Sequence, residues 1–418
     1  MIGLTKLNLK GTEKMDKITF QKRIIAVILA ASVAAVSSAV TAGAADKEDV
    51  SKELYSTSAY LMEQNSSADY TNDYVLGAVV SGAVDTSFCE SYKENVADAL
   101  IENSGKLMYT DYYTGEETES LIYESVAAIV LNKMGYDTAD IGGYDFAEII
   151  SNYDLSLISN PYHLCEALKA ARIINAGEET EKKFLDALMS YYKEDEENSS
   201  LGGMDYWGIS TDNNGAFVEA IFPYADTDEQ VKTAVEKSVN YIKSMKRADG
   251  YDSSVAYASE YGNPDSTAYA LRAFAACGDD ESSSEAYDFL MKFKSENVSG
   301  AYLYFGEENL YAAKDAQAAL LAYYEYVSGL EKQTDATDET EPDSSEPTTD
   351  TATEENSEQK ENTYEATEEN VSSAEVGTAS TESTGTDANP NTGAGEKSVA
   401  LSVAVLAFAG ILLSKRKK

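Results

Sequence analysis

One kind of segment recurs six times between residues 73 and 327, and this repeat restricts the possible folds more than any other feature of the chain. Each copy starts at an acidic residue or Asn and continues as an Ala-rich apolar run. The starts are Asp73, Glu119, Asn160, Asp212, Asp265 and Asp315. They are 46, 41, 52, 53 and 50 residues apart. A unit of this length is typical of repeat architectures, in which neighbouring copies cover each other's apolar surfaces.

The six recurring segments are apolar nearly all round, as expected of a helix that other helices surround. The segments between them have one apolar stripe and one charged face. Between Asp228 and Lys246, for example, Val231, Val235 and Val239 recur at helical steps. We therefore expect inner helices that alternate with amphipathic outer helices. The outer helices are predicted at 48–63, 88–102, 144–152, 178–193, 228–246 and 282–294.

Strict alternation of six inner and six outer helices allows either an open stack or a closed ring. Six pairs around a central axis is the number found in a closed α/α toroid. The sequence therefore predicts an all-α fold, an α/α toroid of about six inner and six outer helices, over residues 46–330. Asp212, Asp265 and Asp315 are predicted to cap the starts of inner helices, because Asp is favoured at that position.

Residues 241–278 resemble the prenyltransferase and squalene-cyclase-like repeat. Gly250-Tyr251 matches its Gly-aromatic turn, and the run from Asp265 to Ala268 matches the start of its inner helix, while Met245 stands where Gln is usual. The resemblance extends more loosely over about two-thirds of the domain. It implies a terpenoid cyclase-type α/α toroid. Because this scaffold also serves protein prenyltransferases, complement thioester domains and cobalamin carriers, it implies a fold and no single activity.

Residues 1–45 have the order of an export signal. Basic residues precede an apolar run from Ile24 to Val40, and the small residues Ala42-Gly43-Ala44 follow it. The run is short for a membrane span and is followed by a small-x-small cleavage pattern. We expect cleavage near Ala44 or Ala45, with a membrane anchor as the alternative.

The other end of the chain, residues 389–418, resembles a cell-wall sorting signal. A Pro-x-Thr-Gly core precedes an apolar span at 398–413 and a basic tail at 415–418. The tail holds the span with its C-terminus in the cytoplasm and the core outside. The resemblance implies that a sortase cuts after Thr392 and links the chain to peptidoglycan on the surface of a Gram-positive bacterium. The pentapeptide is Asn389, Pro390, Asn391, Thr392 and Gly393, with Asn where Leu is commonest.

Residues 331–388 consist mainly of Thr, Ser, Glu, Asp and Ala, and Tyr364 is their only aromatic residue. Such a segment cannot bury enough apolar surface to offset the entropy of ordering, so we expect a disordered acidic stalk. The chain carries a formal charge of −41, of which −33 falls on residues 46–330. Nucleic acid is therefore excluded as a partner, because like charge repels it. The membrane is expected as a partner only through the C-terminal segment before sorting.

Several residue sets for known chemistries are missing from the sequence. The chain has a single histidine, His163, so a prenyltransferase-type zinc site and a histidine-activated nucleophile are both unexpected. Asp226-Thr227-Asp228-Glu229 resembles the acid motif of class II terpene cyclases, but it opens an outer helix, where Asp is predicted to cap. No thioester string is present. The sequence predicts no cofactor, no metal and no assigned catalytic residue. Cys89, Cys165 and Cys277 are expected to be small buried residues, with one disulfide possible.

Carboxylates could still perform acid/base chemistry in the ring. Glu124, Glu166, Glu219 and the predicted cap residues lie on inner helices, which run parallel and present the same end to one mouth. This arrangement would suit an extracellular carbohydrate-active or cyclase-like enzyme. The spacing along the chain does not place any two carboxylates at a required separation, so structural roles are favoured.

Aromatic residues are the other candidates for a site. The chain has 30 Tyr and a single Trp, and many of them lie in loops that lead into inner helices. Such rings suit the binding of sugars, planar ligands or peptides. We expect a non-enzymatic module that binds a small molecule, glycan, peptide or host component. The predicted ligand-binding residues are His163, Tyr206, Trp207, Tyr251, Tyr257, Tyr261, Tyr302 and Tyr304.

Overall fold

The computed structural model describes residue 45 and residues 47–111, 113–254 and 259–338, with side chains up to residue 330. The predicted signal peptide and sorting signal lie outside the described residues, as does the stalk beyond residue 338. Twelve α-helices of the described part alternate between an outer and an inner layer. The outer helices are α1 (Lys47–Gln64), α3 (Thr86–Glu102), α5 (Phe146–Asn152), α7 (Glu178–Met189), α9 (Glu229–Ser244) and α11 (Asp280–Met291). The inner helices are α2 (Val75–Ser81), α4 (Leu121–Lys133), α6 (Pro161–Ile173), α8 (Thr211–Ile221), α10 (Pro264–Cys277) and α12 (Leu310–Asp338).

The inner helices form a closed ring. Each packs on the next one in order from α2 to α12, and α12 returns to pack on both α1 and α2. At this junction Gln317 donates from Nε2 to Ser58 Oγ at 3.0 Å and to the Tyr74 carbonyl oxygen at 3.2 Å. Lys314 pairs with Asp73 at 3.3 Å across the same junction. The predicted all-α toroid is therefore confirmed.

Small residues on the inner helices allow the close packing of the ring. In α10, Ala268, Ala270 and Ala273 are fully buried. Gly215 of α8 faces α10 so closely that an added Cβ would lie 2.4 Å from the carbonyl oxygen of Tyr269. The outer helices bury only one stripe, as in α9, where Val231 and Ile242 are buried. The layers thus follow from the two hydrophobic patterns in the sequence.

The prediction that Asp212, Asp265 and Asp315 cap inner helices is wrong. Ser210 caps α8 by accepting from the Asn213 N–H, and Asn263 caps α10 by accepting from the Ser266 N–H. Asn309 does the same for α12 by accepting from the Tyr311 and Ala312 N–H groups. The three aspartates lie inside their helices, and their carboxylates are free to face the hub. The predicted outer-helix cap at Asp228 is confirmed.

Three two-stranded antiparallel hairpins lie in loops that lead into inner helices, and the sequence analysis did not predict them. They join β1 (Met108–Thr110) to β2 (Glu117–Glu119), β3 (Tyr192–Glu194) to β4 (Gly202–Met204), and β5 (Leu303–Tyr304) to β6 (Glu307–Glu308). The helix α12 continues to Asp338, past residue 330. The three cysteines are free thiols, and that of Cys165 is buried. No helix of the described part has the length and apolar character to cross a bilayer, and the predicted span at 398–413 lies outside that part.

Candidate functional site

The hub of the ring is a cavity of about 970 Å³. All six inner helices contribute to its wall, together with the loops that lead into them. A cavity of this size can hold a ligand of several rings. The side chains of its wall fall into three groups: an acidic cluster, a buried ion network and a run of aromatic rings.

The acidic cluster consists of Asp212 on α8, Asp265 on α10 and Asp315 on α12, which all line the cavity. They come from three consecutive inner helices of the ring. The Oδ1 atoms of Asp212 and Asp265 are buried and have no hydrogen-bond partner among the described residues. Unpaired buried carboxylate oxygens are costly for stability, which is typical of groups retained for a ligand or a reaction.

Proton binding within the acidic cluster is strongly perturbed. Burial raises the pKa of Asp212 to about 6, and the charge of Asp315 adds to this rise. Burial, with Asp315 and Asp212 close by, raises the pKa of Asp265 well above its usual range. Burial also raises the pKa of Asp315, although Lys314 and Arg272 oppose that rise. All three carboxyls therefore hold their protons more tightly than a solvent-exposed aspartate does.

The ion network joins Glu166 and Lys169 of α6 to Glu219 of α8 and Arg272 of α10. Arg272 Nη2 donates to Glu219 Oε2 at 2.5 Å, and Lys169 Nζ lies 3.2 Å from the same oxygen and 2.9 Å from Glu166 Oε1. Burial alone would raise the pKa of Glu219, but Arg272 and Lys169 overcome it and hold the pKa at about 2. Each charge in the network is paired, so the network fixes three inner helices relative to one another.

A run of four rings connects the cavity mouth to this network. Trp207 packs against Tyr206 with 5.9 Å between ring centroids, Tyr206 against Tyr162 at 6.3 Å, and Tyr162 against Tyr269 at 6.2 Å. All three contacts are edge-to-face, the arrangement that aromatic pairs favour. The guanidinium of Arg272 lies 4.8 Å from the centroid of the Tyr269 ring. The four rings line the cavity and give it one continuous aromatic wall.

The structure separates the predicted ligand-binding residues into three groups. His163, Tyr206, Trp207 and Tyr304 line the cavity. Tyr251 and Tyr302 do not, because they are 1% and 0% exposed; Tyr251 packs in the core against Phe274 and Phe289. Both tyrosines depart from the prediction for the same reason, since each one follows a turn that directs its ring into the core.

The remaining predicted residues lie elsewhere. Tyr261 is 66% exposed and is not part of the cavity wall, and Tyr257 lies outside the described residues. Burial lowers the pKa of His163 to about 4, so the imidazole is neutral at ordinary pH. A neutral imidazole at the wall can contact a ligand but carries no charge there.

The carboxylates proposed from sequence also differ in their positions. Glu166 and Glu219 line the cavity but belong to the ion network. Glu124 is fully buried away from the cavity wall, and its Oε1 accepts from the Leu107 N–H at 3.3 Å. Asp212, Asp265 and Asp315, in contrast, line the cavity outside this network.

The wall as a whole is electronegative. Eight carboxylates and four cationic side chains line it. Among the described residues, no group of three or more His, Cys, Asp or Glu side chains could hold a metal ion. An excess of acids favours neutral or cationic ligands over anionic ones.

Sequence reasoning did not select Tyr162, Tyr269 or Phe305, although all three line the cavity. One signal for Phe305 was available, because Tyr304-Phe305-Gly306 repeats the pattern of Tyr206-Trp207-Gly208 ahead of another inner helix. Tyr162 and Tyr269 lie within inner helices, where a ring toward the hub and a ring toward the core look alike in sequence.

Comparisons with known proteins identify no family for this chain. No family model matches the chain, and no curated protein matches it. A solved structure titled as a polysaccharide lyase is similar at 10% identity, with a TM-score of 0.45, and the match covers 68% of this chain and 99% of that one. The likeness is distant, so the function proposed below depends on the residues of this chain.

Proposed function

We propose that the toroid is a carbohydrate-active enzyme that hydrolyses glycosidic bonds in the hub cavity. The observation that carries this proposal is the acidic cluster, in which Asp265, whose pKa is raised well above its usual range by burial, lies beside Asp212 in a cavity wide enough for several sugar rings. Glycoside hydrolysis uses such a pair, one carboxyl to protonate the leaving oxygen and one carboxylate to act on the opposite side. Perturbed pKa values in a cleft are typical of active sites.

The roles follow from the pKa of each group. Asp265 holds the proton and donates it to the glycosidic oxygen as the C–O bond breaks. Asp212, whose pKa is about 6, is ionised at neutral pH and accepts a proton from the water that adds to the anomeric carbon. Asp315 raises the pKa of both groups by its charge. The aromatic wall from Trp207 to Tyr269 holds the sugar rings.

The test is hydrolysis of neutral hexasaccharides, such as cellohexaose, xylohexaose and mannohexaose, by the full-length protein. Replacing Asp265→Asn or Asp212→Asn should reduce kcat by roughly 100-fold or more, because each removes one proton-transfer step. The exposed Glu236 on α9 gives a matched control, and Glu236→Gln should retain wild-type rates. Full activity in both aspartate variants, with their fold intact by circular dichroism, would exclude this mechanism.

A second candidate function is the non-enzymatic binding module expected from the sequence. One observation favours it: Trp207 is 78% exposed and Phe305 is 95% exposed at the cavity mouth, where they can hold a ligand without any reaction. The two functions differ in one outcome. A binding module retains a hexasaccharide without releasing shorter products, whereas the enzyme converts it.

We also propose that the protein acts on the cell surface, attached to peptidoglycan through Thr392. The support is the sequence pattern of the two ends, both of which lie outside the described residues. The prenyltransferase-like ancestry of the repeat is likewise a proposal, supported by Gly250-Tyr251 and the segment from Asp265 to Ala268. Thr392→Ala should abolish attachment in a sortase-bearing host, as seen by immunoblots of wall and membrane fractions. Wall attachment of this variant would refute the anchoring proposal.

A further inference from the structure

Two loops at the cavity mouth have the same unusual construction. One contains Tyr206-Trp207-Gly208 between the bridged residues Asp205 and Ile209, and the other contains Tyr304-Phe305-Gly306 at the turn from β5 to β6. Trp207 has a φ of 59° and Phe305 a φ of 54°. The glycines that follow them also have positive φ, 108° and 83°. Each loop thus places a large aromatic residue in left-handed backbone just before a glycine.

The folding of the chain does not account for these two aromatic residues. Left-handed backbone is unfavourable for a bulky side chain and is several-fold enriched in Asn. The two-residue turn at Phe305-Gly306 would in addition favour Asn before Gly. Burial does not compensate, because Trp207 and Phe305 are among the most exposed large apolar residues of the described part. Strained residues that gain little burial are typical of binding sites.

The rings of Trp207 and Phe305 both lie at the wall of the hub cavity. Each packs edge-to-face on the tyrosine that precedes it, with 5.9 Å between the centroids of Tyr206 and Trp207 and 4.5 Å between those of Tyr304 and Phe305. All four rings line the cavity. The β1–β2 hairpin also exposes an aromatic residue, Tyr113, but that ring is not part of the cavity wall.

We propose that Trp207 and Phe305 form a sugar-stacking platform that receives a neutral glycan chain at the mouth of the cavity. This proposal rests on the proposed function for the identity of the ligand. The apolar C–H face of a pyranose packs on an exposed aromatic ring, as amphipathic ligands do. The excess of acids on the cavity wall excludes uronate chains by charge, so a neutral chain is the better fit.

The only tryptophan of the whole chain is Trp207, so intrinsic tryptophan fluorescence reports on this platform alone. The full-length Asp265→Asn protein is titrated with cellohexaose, xylohexaose, mannohexaose and, as the charged counterpart, hexagalacturonate. The proposal predicts that at least one neutral chain shifts the emission to shorter wavelength and protects the indole from acrylamide quenching, while hexagalacturonate does neither. A response to no neutral chain, or to hexagalacturonate alone, would overturn it.

Variants separate binding from folding. Phe305→Asn and Trp207→Asn suit left-handed backbone before glycine, so each should keep or raise Tm. Each should also weaken binding of the neutral chain by about tenfold or more, measured by calorimetry. Tyr113→Asn in the β1–β2 hairpin is the control and should leave affinity unchanged. A fall in Tm of several degrees in either platform variant, or unchanged affinity in both, would overturn the proposal.

Binding of the glycan at Trp207 and Phe305 can be tested separately from its hydrolysis. If the wild-type protein binds the chain through Trp207 and Phe305 but releases no shorter product, the platform stands and the enzymatic function fails. If it hydrolyses the chain at wild-type rate and affinity after both replacements, the enzymatic function stands and the platform fails.

Discussion

Asp212 and Asp265 occupy the same position, the second residue, of the neighbouring inner helices α8 and α10. Each follows a capping side chain two residues earlier, Ser210 and Asn263 respectively. Because the inner helices run parallel around the hub, this equivalence brings the two carboxylates to one end of the cavity. Asp315 joins them from the second turn of α12. The repeat therefore accounts for the pairing of Asp212 with Asp265.

The pH dependence of the reaction follows from this cluster. Because Asp212 must be ionised, kcat/KM should rise as the pH increases through about 6, and it should fall again at higher pH as Asp265 loses its proton. Replacing Asp315→Asn removes a negative neighbour, so the rising limb should move to lower pH. Initial rates measured from pH 4 to pH 9 test this; a limb that does not move would show that Asp315 has no influence on the pair.

The ion network makes a separate prediction about stability. Glu219→Gln leaves Arg272 and Lys169 without their shared carboxylate, so we expect a loss of about 3–5 kcal/mol in the free energy of unfolding, measured with urea. The exposed pair of Lys182 and Asp186 on α7 is the control, and Lys182→Gln should cost less than about 0.5 kcal/mol. Equal effects of the two replacements would contradict the structural role of the network.

Much of this architecture is predictable from sequence because it depends on hydrophobic pattern. Val231 and Ile242 mark the buried stripe of an outer helix, and the Ala-rich inner segments mark helices that are surrounded. The position of the acids was predicted wrongly, because Asn263 and Asp265 are both good caps and lie two residues apart. Pro264 was the available signal, since Pro favours the first helical position and places the cap at Asn263.

The aromatic residues show why the site is harder to predict than the fold. Tyr251 and Tyr304 both lie in loops that lead into inner helices, yet one is buried in the core and the other lines the cavity. The direction of a ring in a loop depends on the backbone angles of its turn, and the spacing of apolar residues gives no information about those angles. In the sequence, only the repeated pattern of two aromatic residues before Gly208 and Gly306 indicated the direction of these rings.

Because Glu124 is buried, the stability of the folded protein should depend on pH. Burial, with Glu119 nearby, raises its pKa from 4.5 to about 8 in the folded protein. The contribution of Glu124 to the free energy of unfolding is therefore complete below about pH 4.5 and is lost as the pH rises through 8. Glu124→Gln should avoid this loss and be more stable than wild type at pH 9, by on the order of 2–4 kcal/mol. Urea unfolding at pH 5 and pH 9 measures the difference, and Glu117→Gln on the exposed β2 strand should behave like wild type.

The close approach of α8 and α10 can be tested with glycine. Gly215→Ala places a Cβ 2.4 Å from a backbone oxygen of α10, so the helices must separate, and we expect a loss of about 2–4 kcal/mol. Gly329 of α12 is also helical but has open space around it. Gly329→Ala should be neutral or stabilising by up to about 1 kcal/mol. Thermal and urea unfolding of the two variants measure the contrast, and similar destabilisation in both would contradict the described packing.

The most direct test of the proposed site is a crystal structure of the Asp265→Asn protein in complex with the neutral hexasaccharide that it binds best. The account predicts a sugar chain that runs from Trp207 and Phe305 into the hub, with one glycosidic oxygen within about 3.2 Å of the side chain at position 265 and Asp212 on the other side of that bond. A chain that stays at the mouth, or a hub that holds no sugar near either residue, would contradict it.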